Sequence, residues 1–201
     1  MGDKQEQQPV LRLASASPRR RELLALIGVP HVVTPADIDE TPRPGEGGAD
    51  YVRRLAREKA AAIRARHTDL PVLAADTTVH VDGQILEKPL DEGDCIRMLS
   101  LLSGRAHQVF TGVCVAGTGP DALTVATSEV TFRKISRSEM HAYWASGEPR
   151  GKAGAYAIQG LGAVFVANIA GSYTGVMGLP LFETAAALRS HGIPVWNGAL
   201  A

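Results

Sequence analysis

Asp76 follows an apolar run, Val72-Leu73-Ala74-Ala75, that suits a buried strand. Buried strands seldom carry an ionised group unless something pairs with it. Asp76 therefore needs a lysine, an arginine or a metal ion, unless it merely caps a turn where the strand ends. A second group of reactive side chains precedes it. Ser15, Ser17, Arg19, Arg20 and Arg21 lie where a strand would give way to a helix. Three arginines in a first helical turn oppose the positive end of the helix dipole. A phosphate would resolve that conflict, because it can take backbone N–H groups, serine hydroxyls and guanidinium forks together. The alternative is a solvated basic turn, and Arg21 is the arginine expected simply to face water. A third candidate is Gln159, set among small residues, whose amide offers both a donor and an acceptor to the edge of a nucleobase. Its alternative is a loop glutamine in solvent.

The elements that must position these groups follow from pattern. Residues 10–14 read as a short strand. Ser17 suits a helix N-cap with Pro18 at the first position. Leu23, Leu24 and Ile27 face inward, and Gly28 stops the helix. Residues 31–34 suit a second strand. The Pro- and Gly-rich stretch 35–48 carries Asp37, Asp39 and Glu40, which could form a mobile rim or supply oxygens to a hard cation. A helix over residues 50–67 puts Val52, Leu55, Lys59 and Ile63 on one face. Lys59 thus sits in an apolar stripe; it either snorkels to water or points into a cleft to meet a carboxylate or phosphate. Asp82-Gly83 is a two-residue hairpin turn that returns the strand through Gln84, Ile85 and Leu86, and Pro89 ends the ladder.

Beyond the hairpin, residues 91–102 predict a helix with Ile96, Leu99 and Leu102 inward. Residues 108–116 and 123–135 predict an antiparallel strand pair. His107 reads as a structural histidine, and Gly112 as a point where something approaches closely. Residues 138–146 predict a short helix. The glycine-rich stretch 148–162 excludes a long regular element. Residues 165–170 predict another strand, 171–173 a turn, and Pro180 opens a last helix. Residues 193–196 suggest an edge strand. The chain reads as a disordered extension at residues 1–9 and one domain over residues 10–201.

Bulk composition bounds the partners. The 21 basic and 21 acidic residues cancel, so no global field exists to attract nucleic acid or an anionic membrane. Ten aromatic residues (2 Trp, 4 Tyr, 4 Phe) give little for stacking on a single strand. Cys95 and Cys114 are the only cysteines, too few for a disulfide framework or a cysteine zinc site. That usage suits a reducing cytoplasm. No apolar run approaches the roughly 20 residues that span a bilayer. Residues 1–8 lack the apolar core of a signal peptide.

Four blocks in order carry a resemblance: ASASPRR at 14–20, ADTTV at 75–79 continuing through Glu87-Lys88-Pro89, residues 104–113, and GAYAIQGLG at 154–162. The segment 171–181 joins them. Together they resemble the Maf family of nucleoside triphosphate pyrophosphatases over almost all of residues 10–188. The resemblance implies an α/β fold, elongated and two-lobed around a long mixed twisted sheet, similar to inosine triphosphate pyrophosphatases, with the cleft between the lobes. It implies hydrolysis of a nucleoside triphosphate to monophosphate and pyrophosphate, with a divalent cation (Mg²⁺, Mn²⁺ or Co²⁺) and a homodimer. Asp76 matches the family's proton acceptor, Arg19 and Arg20 its triphosphate arginines, and Lys59 and Lys88 its cleft lysines. Glu40 matches an acid at the rim that would hold the metal with Asp76. Arg19, Thr77 and Gln159 match positions that separate subfamilies by base. AYAIQG resembles the dTTP/UTP branch, whereas a Glu-Gly step stands at Gln159-Gly160 in the 7-methyl-GTP branch. Glu87 receives no role.

Two readings compete with a dTTP/UTP enzyme. One keeps the fold and changes the base, to 7-methyl-GTP or to ITP and XTP. The other is a non-catalytic nucleotide-binding regulator of septum formation. Asp76 argues against the latter, since a pure binding pocket gains little from a carboxylate facing triphosphate.

Overall fold

A computed structural model describes residues 8–196. Of the extension expected at residues 1–9, residues 1–7 lie outside the described residues, as do residues 197–201. In chain order the structure contains β1 (Leu11–Leu13), α1 (Pro18–Leu26), β2 (His31–Val33), α2 (Gly48–Arg64), β3 (Val72–Val81) and β4 (Gln84–Leu86). It continues with α3 (Glu92–Leu102), β5 (Ala106–Ala116), β6 (Ala122–Phe132), α4 (Arg137–Ala145), β7 (Val166–Ala170), α5 (Tyr173–Met177) and α6 (Leu181–Ser190). Short 3₁₀ turns at Ala153–Ala155 and Leu161–Phe165 break the glycine-rich stretch. The seven described strands form one mixed sheet in the order β2-β1-β3-β5-β6-β7, with β4 also paired to β3. This is the α/β architecture around a mixed sheet that the family resemblance implies.

The sheet owes its shape to β3. β1 runs parallel to its start, with Leu13 opposite Leu73. β4 folds back on its end, with Leu86 opposite Val79. Asp82 and Gly83 both take positive φ, 50° and 75°, as a type I′ hairpin turn requires. Between Leu73 and Val79 no described strand covers the outer edge of β3. The other edge pairs with β5 from Val72 to His80. The strand therefore does not break at Asp76; it runs through it, and Asp76 lies opposite Gly112.

Apolar side chains pack on both faces and at both ends of this sheet. One cluster gathers Leu86, Leu99, Phe132, Tyr143 and Phe165 from β4, α3, β6, α4 and the 3₁₀ turn before β7. Another gathers Leu11, Leu24, Leu73, Val113 and Leu188 around β1, α1 and α6. Helix α2 lies across β3 and β5, placing Ala56, Ala60 and Ile63 on Val72, Ala74 and Cys114. The close approach expected at Gly112 is made by this helix. A Cβ there would stand 2.3 Å from the Val52 carbonyl oxygen, so only glycine lets α2 settle so low.

Several local expectations change. Ser17 occupies the N-cap of α1, but its hydroxyl caps nothing; its own N–H donates to Ser15 Oγ at 3.2 Å. The inward face of α3 is Cys95, Met98, Leu99 and Leu102, with Ile96 only half-buried. Helix α4 starts one residue earlier than expected, behind a capping box of Ser136 and Glu139. The turn expected at residues 171–173 leads straight into α5, where Ser172 Oγ accepts from Gly175 N. Five residues with an internal glycine lie below what sequence periodicity can register. No edge strand forms at residues 193–196. Val195 makes a lone bridge and Trp196 N donates to Ile27 O, because Pro194 has no N–H to extend a ladder.

His107 is structural, as expected. It is 3 % exposed, its Nε2 lies 3.0 Å from the Tyr156 hydroxyl, and it meets Phe132 edge-on at 4.8 Å. Burial, helped by nearby Arg105, lowers its pKa from 6.5 to about 4. Below pH 6.5 the unfolded chain takes up a proton that the folded chain refuses, so stability falls as pH drops and the loss is complete near the folded value. Over that window the loss from this residue should be about 3 kcal/mol. Urea denaturation between pH 7 and pH 4 should show a flatter pH slope for His107→Gln; equal slopes would contradict this assignment.

Candidate active site

The uncovered edge of β3 opens into a cleft of about 740 Å³. Because no strand pairs there, side chains from both faces of β3 reach it. Asp76 shares a sheet face with Ala74 and meets α2; Thr77, one residue on, points to the opposite face and meets α1. The β1–α1 turn forms one wall, with Ser15, Ser17, Arg19 and Arg20. Gly151, Tyr156, Ile158 and Gln159 belong to the facing wall. Of the side chains weighed from sequence, Ser15, Ser17, Arg19, Arg20, Glu40, Lys59, Asp76, Thr77, Lys88 and Gln159 line this cleft, whereas Arg21, Asp37 and Asp39 do not.

At its floor is a buried ion pair. Lys59 Nζ donates to Asp76 Oδ1 at 2.7 Å, and both residues are under one-tenth exposed. The same ammonium lies 2.7 Å from Glu40 Oε1. Lys59 therefore does not snorkel to solvent. Asp76 Oδ2 has no hydrogen-bond partner among the described residues. Burial pushes Asp76 above the ordinary carboxylate range, against the pull of Lys59 and Arg20, and Glu40 adds to the rise. At Glu40 burial also raises the pKa, but Lys59 and Lys88 outweigh it and hold the group below its usual range. Two carboxylates on one ammonium are thus driven apart, the condition under which one acts as base while the other stays ionised. Glu40 is delivered by the 35–47 loop, which is tied down where Tyr51 Oη donates to Glu40 O at 2.8 Å and Arg54 pairs with Glu46 at 2.7 Å.

The arginine wall is equally determined. Arg20 Nε donates to Gly178 O at 2.8 Å, Nη1 to Ser15 Oγ at 3.1 Å and Nη2 to Thr77 Oγ1 at 3.1 Å. Thr111 Oγ1 donates to Gly175 O at 2.8 Å, so the 3.0 Å contact between Thr77 and Thr111 uses the Thr77 proton. Thr77 thereby passes a hydrogen-bond chain from Arg20 to α5 and holds that guanidinium in place. Arg19 Nε donates to Met177 O at 3.3 Å, leaving its terminal nitrogens toward the cleft. Arg21 is exposed, as expected. Lys88 has a side chain 66 % exposed, with Nζ 3.6 Å from Glu40 Oε2. The Gln159 side chain lies at the opposite wall, exposed and without an intramolecular hydrogen bond among the described residues.

Sequence reasoning passed over Arg150 and Lys152, which also line the cleft. The clue was adjacent, since Lys152 immediately precedes the Ala-Gly-Ala-Tyr run. With them the lining holds six basic side chains (Arg19, Arg20, Lys59, Lys88, Arg150, Lys152) against three acidic ones (Glu40, Asp76, Glu87). A chain of zero formal net charge has concentrated a surplus of three positive charges in one cleft. Such a cleft attracts a polyanion. Among the described residues no three His, Cys, Asp or Glu side chains converge as a metal cage, and no helix is long and apolar enough to cross a membrane.

Residues 10–191 match the Maf family, described as Maf-like protein, and the chain belongs to that family. A Bordetella parapertussis protein named dTTP/UTP pyrophosphatase is 55 % identical over 196 residues, covering 93 % of this chain and 95 % of its own. Proteins of the same name from Sphingopyxis alaskensis and Myxococcus xanthus are 57 % and 54 % identical, covering 93 % and 96 % of this chain and 99 % and 98 % of theirs. Among solved structures, the Staphylococcus aureus Ham1 protein aligns with a TM-score of 0.46 at 16 % identity, over 61 % of this chain and 71 % of that one.

The Lys59–Asp76 pair yields a stability prediction. Lys59→Met strands a buried carboxylate and should lower stability by roughly 3 kcal/mol at neutral pH. Adding Asp76→Asn should recover much of it. Guanidinium denaturation of the three variants checks this, and an unchanged midpoint in Lys59→Met would remove the pair as an anchor.

Proposed function

We propose that this chain hydrolyses nucleoside triphosphates, dTTP and UTP in preference, to the monophosphate and pyrophosphate. The observation that carries the reading is the buried Asp76 carboxylate held on Lys59 within a cleft of surplus positive charge. The cleft volume falls in the range of sites that enclose small ligands. The reading is further supported by relatives above half identity that carry the name dTTP/UTP pyrophosphatase.

In this reading Asp76 Oδ2 takes a proton from a water molecule as that water attacks the α-phosphorus. The new phosphorus–oxygen bond forms as the bond to the bridging oxygen breaks, and pyrophosphate departs with the electron pair. Arg19 and Arg20 offset the charge that builds on it, with Lys59 and Lys88 adding to the same field. The elevated pKa of Asp76 favours the step, because a carboxylate that binds its proton more firmly is a stronger base. Ser15 orients Arg20, and Ser17 with Ser15 shapes the turn where the phosphates enter.

A divalent cation fits these residues. Asp76 and Glu40 line one cleft and meet on the Lys59 ammonium, and these two carboxylates would hold the ion. Mg²⁺ is commonly held by one or two carboxylates together with substrate phosphates, so a three-acid cage is not needed. When bound, such an ion would polarise phosphoryl oxygens and neutralise charge.

Gln159 supplies the base reading. Thymine and uracil present a carbonyl beside an N–H, which one amide can match, whereas a carboxylate only accepts. We further propose a homodimer working in the cytoplasm, with no stable nucleic-acid complex. The exposed side chains of Leu26 and Phe182 offer apolar surface for the former, and net neutrality supports the latter.

Pyrophosphate release from a panel of common and modified triphosphates, with Mg²⁺, Mn²⁺ and Co²⁺ compared, should rank dTTP and UTP first. A ranking led by 7-methyl-GTP, ITP or XTP would replace the substrate, and tight binding without turnover would replace the enzyme. Asp76→Asn should keep the fold and nucleotide binding while losing most turnover; near-normal turnover would remove Asp76 from the chemistry. Gln159→Glu should lower kcat/KM for dTTP and UTP by about tenfold or more at unchanged thermal stability. An unaltered ranking would mean the base is read elsewhere.

A further inference from the structure

The wall that carries Gln159 has no regular structure over residues 148–160 beyond one 3₁₀ turn, yet its backbone is fixed from below by one carboxylate. Glu148 follows α4. Its Oε1 accepts from the Tyr143 hydroxyl at 2.7 Å and from Gly162 N at 3.0 Å, and its Oε2 accepts from Leu161 N at 2.9 Å. The Tyr143 oxygen in turn accepts from Ala157 N at 3.1 Å. The five-residue span from Ala157 to Leu161 is thus held at both ends by a single Tyr–Glu unit, and Gln159 is its middle residue. Burial alone would raise the Glu148 pKa, but the Tyr143 hydroxyl and the two backbone N–H groups hold it below the ordinary glutamate range. It therefore stays ionised and acceptor-only at neutral pH, as three donors require.

Gly160 belongs to the same device. A Cβ at this position would meet Glu148 Oε2 at 2.1 Å, Cδ at 2.6 Å and Oε1 at 2.8 Å. Its three nearest neighbours are all atoms of that carboxylate. The backbone beside Gln159 therefore passes directly over Glu148, at a distance only glycine permits. Tyr143 is itself fixed, buried on α4 with its ring edge-on to Phe165 at 5.1 Å. The chain of constraint runs from the core, through Tyr143 and Glu148, to the peptide that bears the amide.

We propose that Glu148 is a positioning residue for base selection: through Tyr143 and the Leu161 and Gly162 N–H groups it sets where the Gln159 amide meets the pyrimidine edge. This rests on the base-reading role given to Gln159 above. A side chain projecting from an unsupported loop would lose much of its discrimination to disorder, because a polar contact selects only when its geometry is set beforehand.

The test uses the full-length enzyme and steady-state kinetics with dTTP, UTP and one purine triphosphate, alongside thermal midpoints. Glu148→Gln keeps the shape but replaces one acceptor oxygen with a donor, so one of the three contacts must fail. It should raise KM for dTTP and UTP about 10- to 100-fold with kcat little changed, and leave the purine substrate nearly unaffected. Gly160→Ala should reproduce that selective loss by pushing the carboxylate aside. In a Glu148→Ala background the same Gly160→Ala change should add nothing, since the atoms it strikes are gone. A parallel loss on all three triphosphates, or no loss, would overturn the proposal. If Glu148→Gln fails to fold, Gly160→Ala decides: an unchanged pyrimidine preference there overturns it. Gln159→Ala separates the two levels. Selective loss in Gln159→Ala without any in Glu148→Gln refutes the positioning role alone. An unchanged preference in Gln159→Ala refutes the base reading and the positioning role with it.

Discussion

A lysine ammonium and an aspartate carboxylate, 2.7 Å apart and nearly closed to solvent, form the contact on which the site depends. Neither charge is tolerable alone at that depth. Asp76 lies in the middle of the central strand, where an apolar residue would pack better, and Lys59 interrupts the apolar stripe of α2. Each is a local fault that the other repairs. The repair demands that α2 lie low on the sheet, which the missing side chain at Gly112 allows. Burial still outweighs the ion pair at Asp76, so the carboxylate keeps an unusual hold on its proton. A carboxylate that is uncomfortable in the fold is for that reason less easily ionised.

The sheet makes room for this by an interruption. A central strand would ordinarily be paired along both edges and have nothing to offer a ligand. Here β1 ends at Leu13 and β4 begins to pair at Val79, so the stretch between is inner strand on one side and cleft on the other. The alternation of a strand then becomes useful. Asp76 and Thr77 project to opposite faces, one meeting Lys59 on α2 and the other Arg20 on α1, yet both border one opening. Main-chain carbonyls at Met177 and Gly178 fix the two arginines. The segment around α5 thus sets the arginine wall, although none of its side chains carries the chemistry.

The opposite wall solves a different problem. Small residues and glycines let the backbone run close to the cleft, but they leave it without stiffness of its own. Stiffness is supplied by hydrogen bonds to Glu148 and Tyr143, at the end of a helix whose start is locked by the Ser136–Glu139 box. Arg19 and Arg20 on one side and the Gln159 amide on the other therefore sit on separately anchored supports, which face each other across the open space.

Much of this was legible in the chain itself. Periodicity placed Lys59 on the buried face of α2, the Asp82-Gly83 turn located the hairpin, and four spaced blocks carried the family likeness. These signals are local: they depend on side-chain spacing along one element, and one element's order is written in sequence. Helix α5, the single bridge at Val195 and the unused cap at Ser17 were not legible, because a short helix, a proline-limited bridge and a hydroxyl's partner are decided by what lies beside them. The same holds for the site's finer chemistry. Sequence by itself determined which charges and amides exist and which elements bear them. Only the tertiary structure decided that Lys59 bridges Asp76 and Glu40, that the Thr77 hydroxyl donates to Thr111, and that Glu148 lies under Gly160. Those are contacts between residues far apart in the chain, and their distances exist only once the sheet, its gap and its helices have packed.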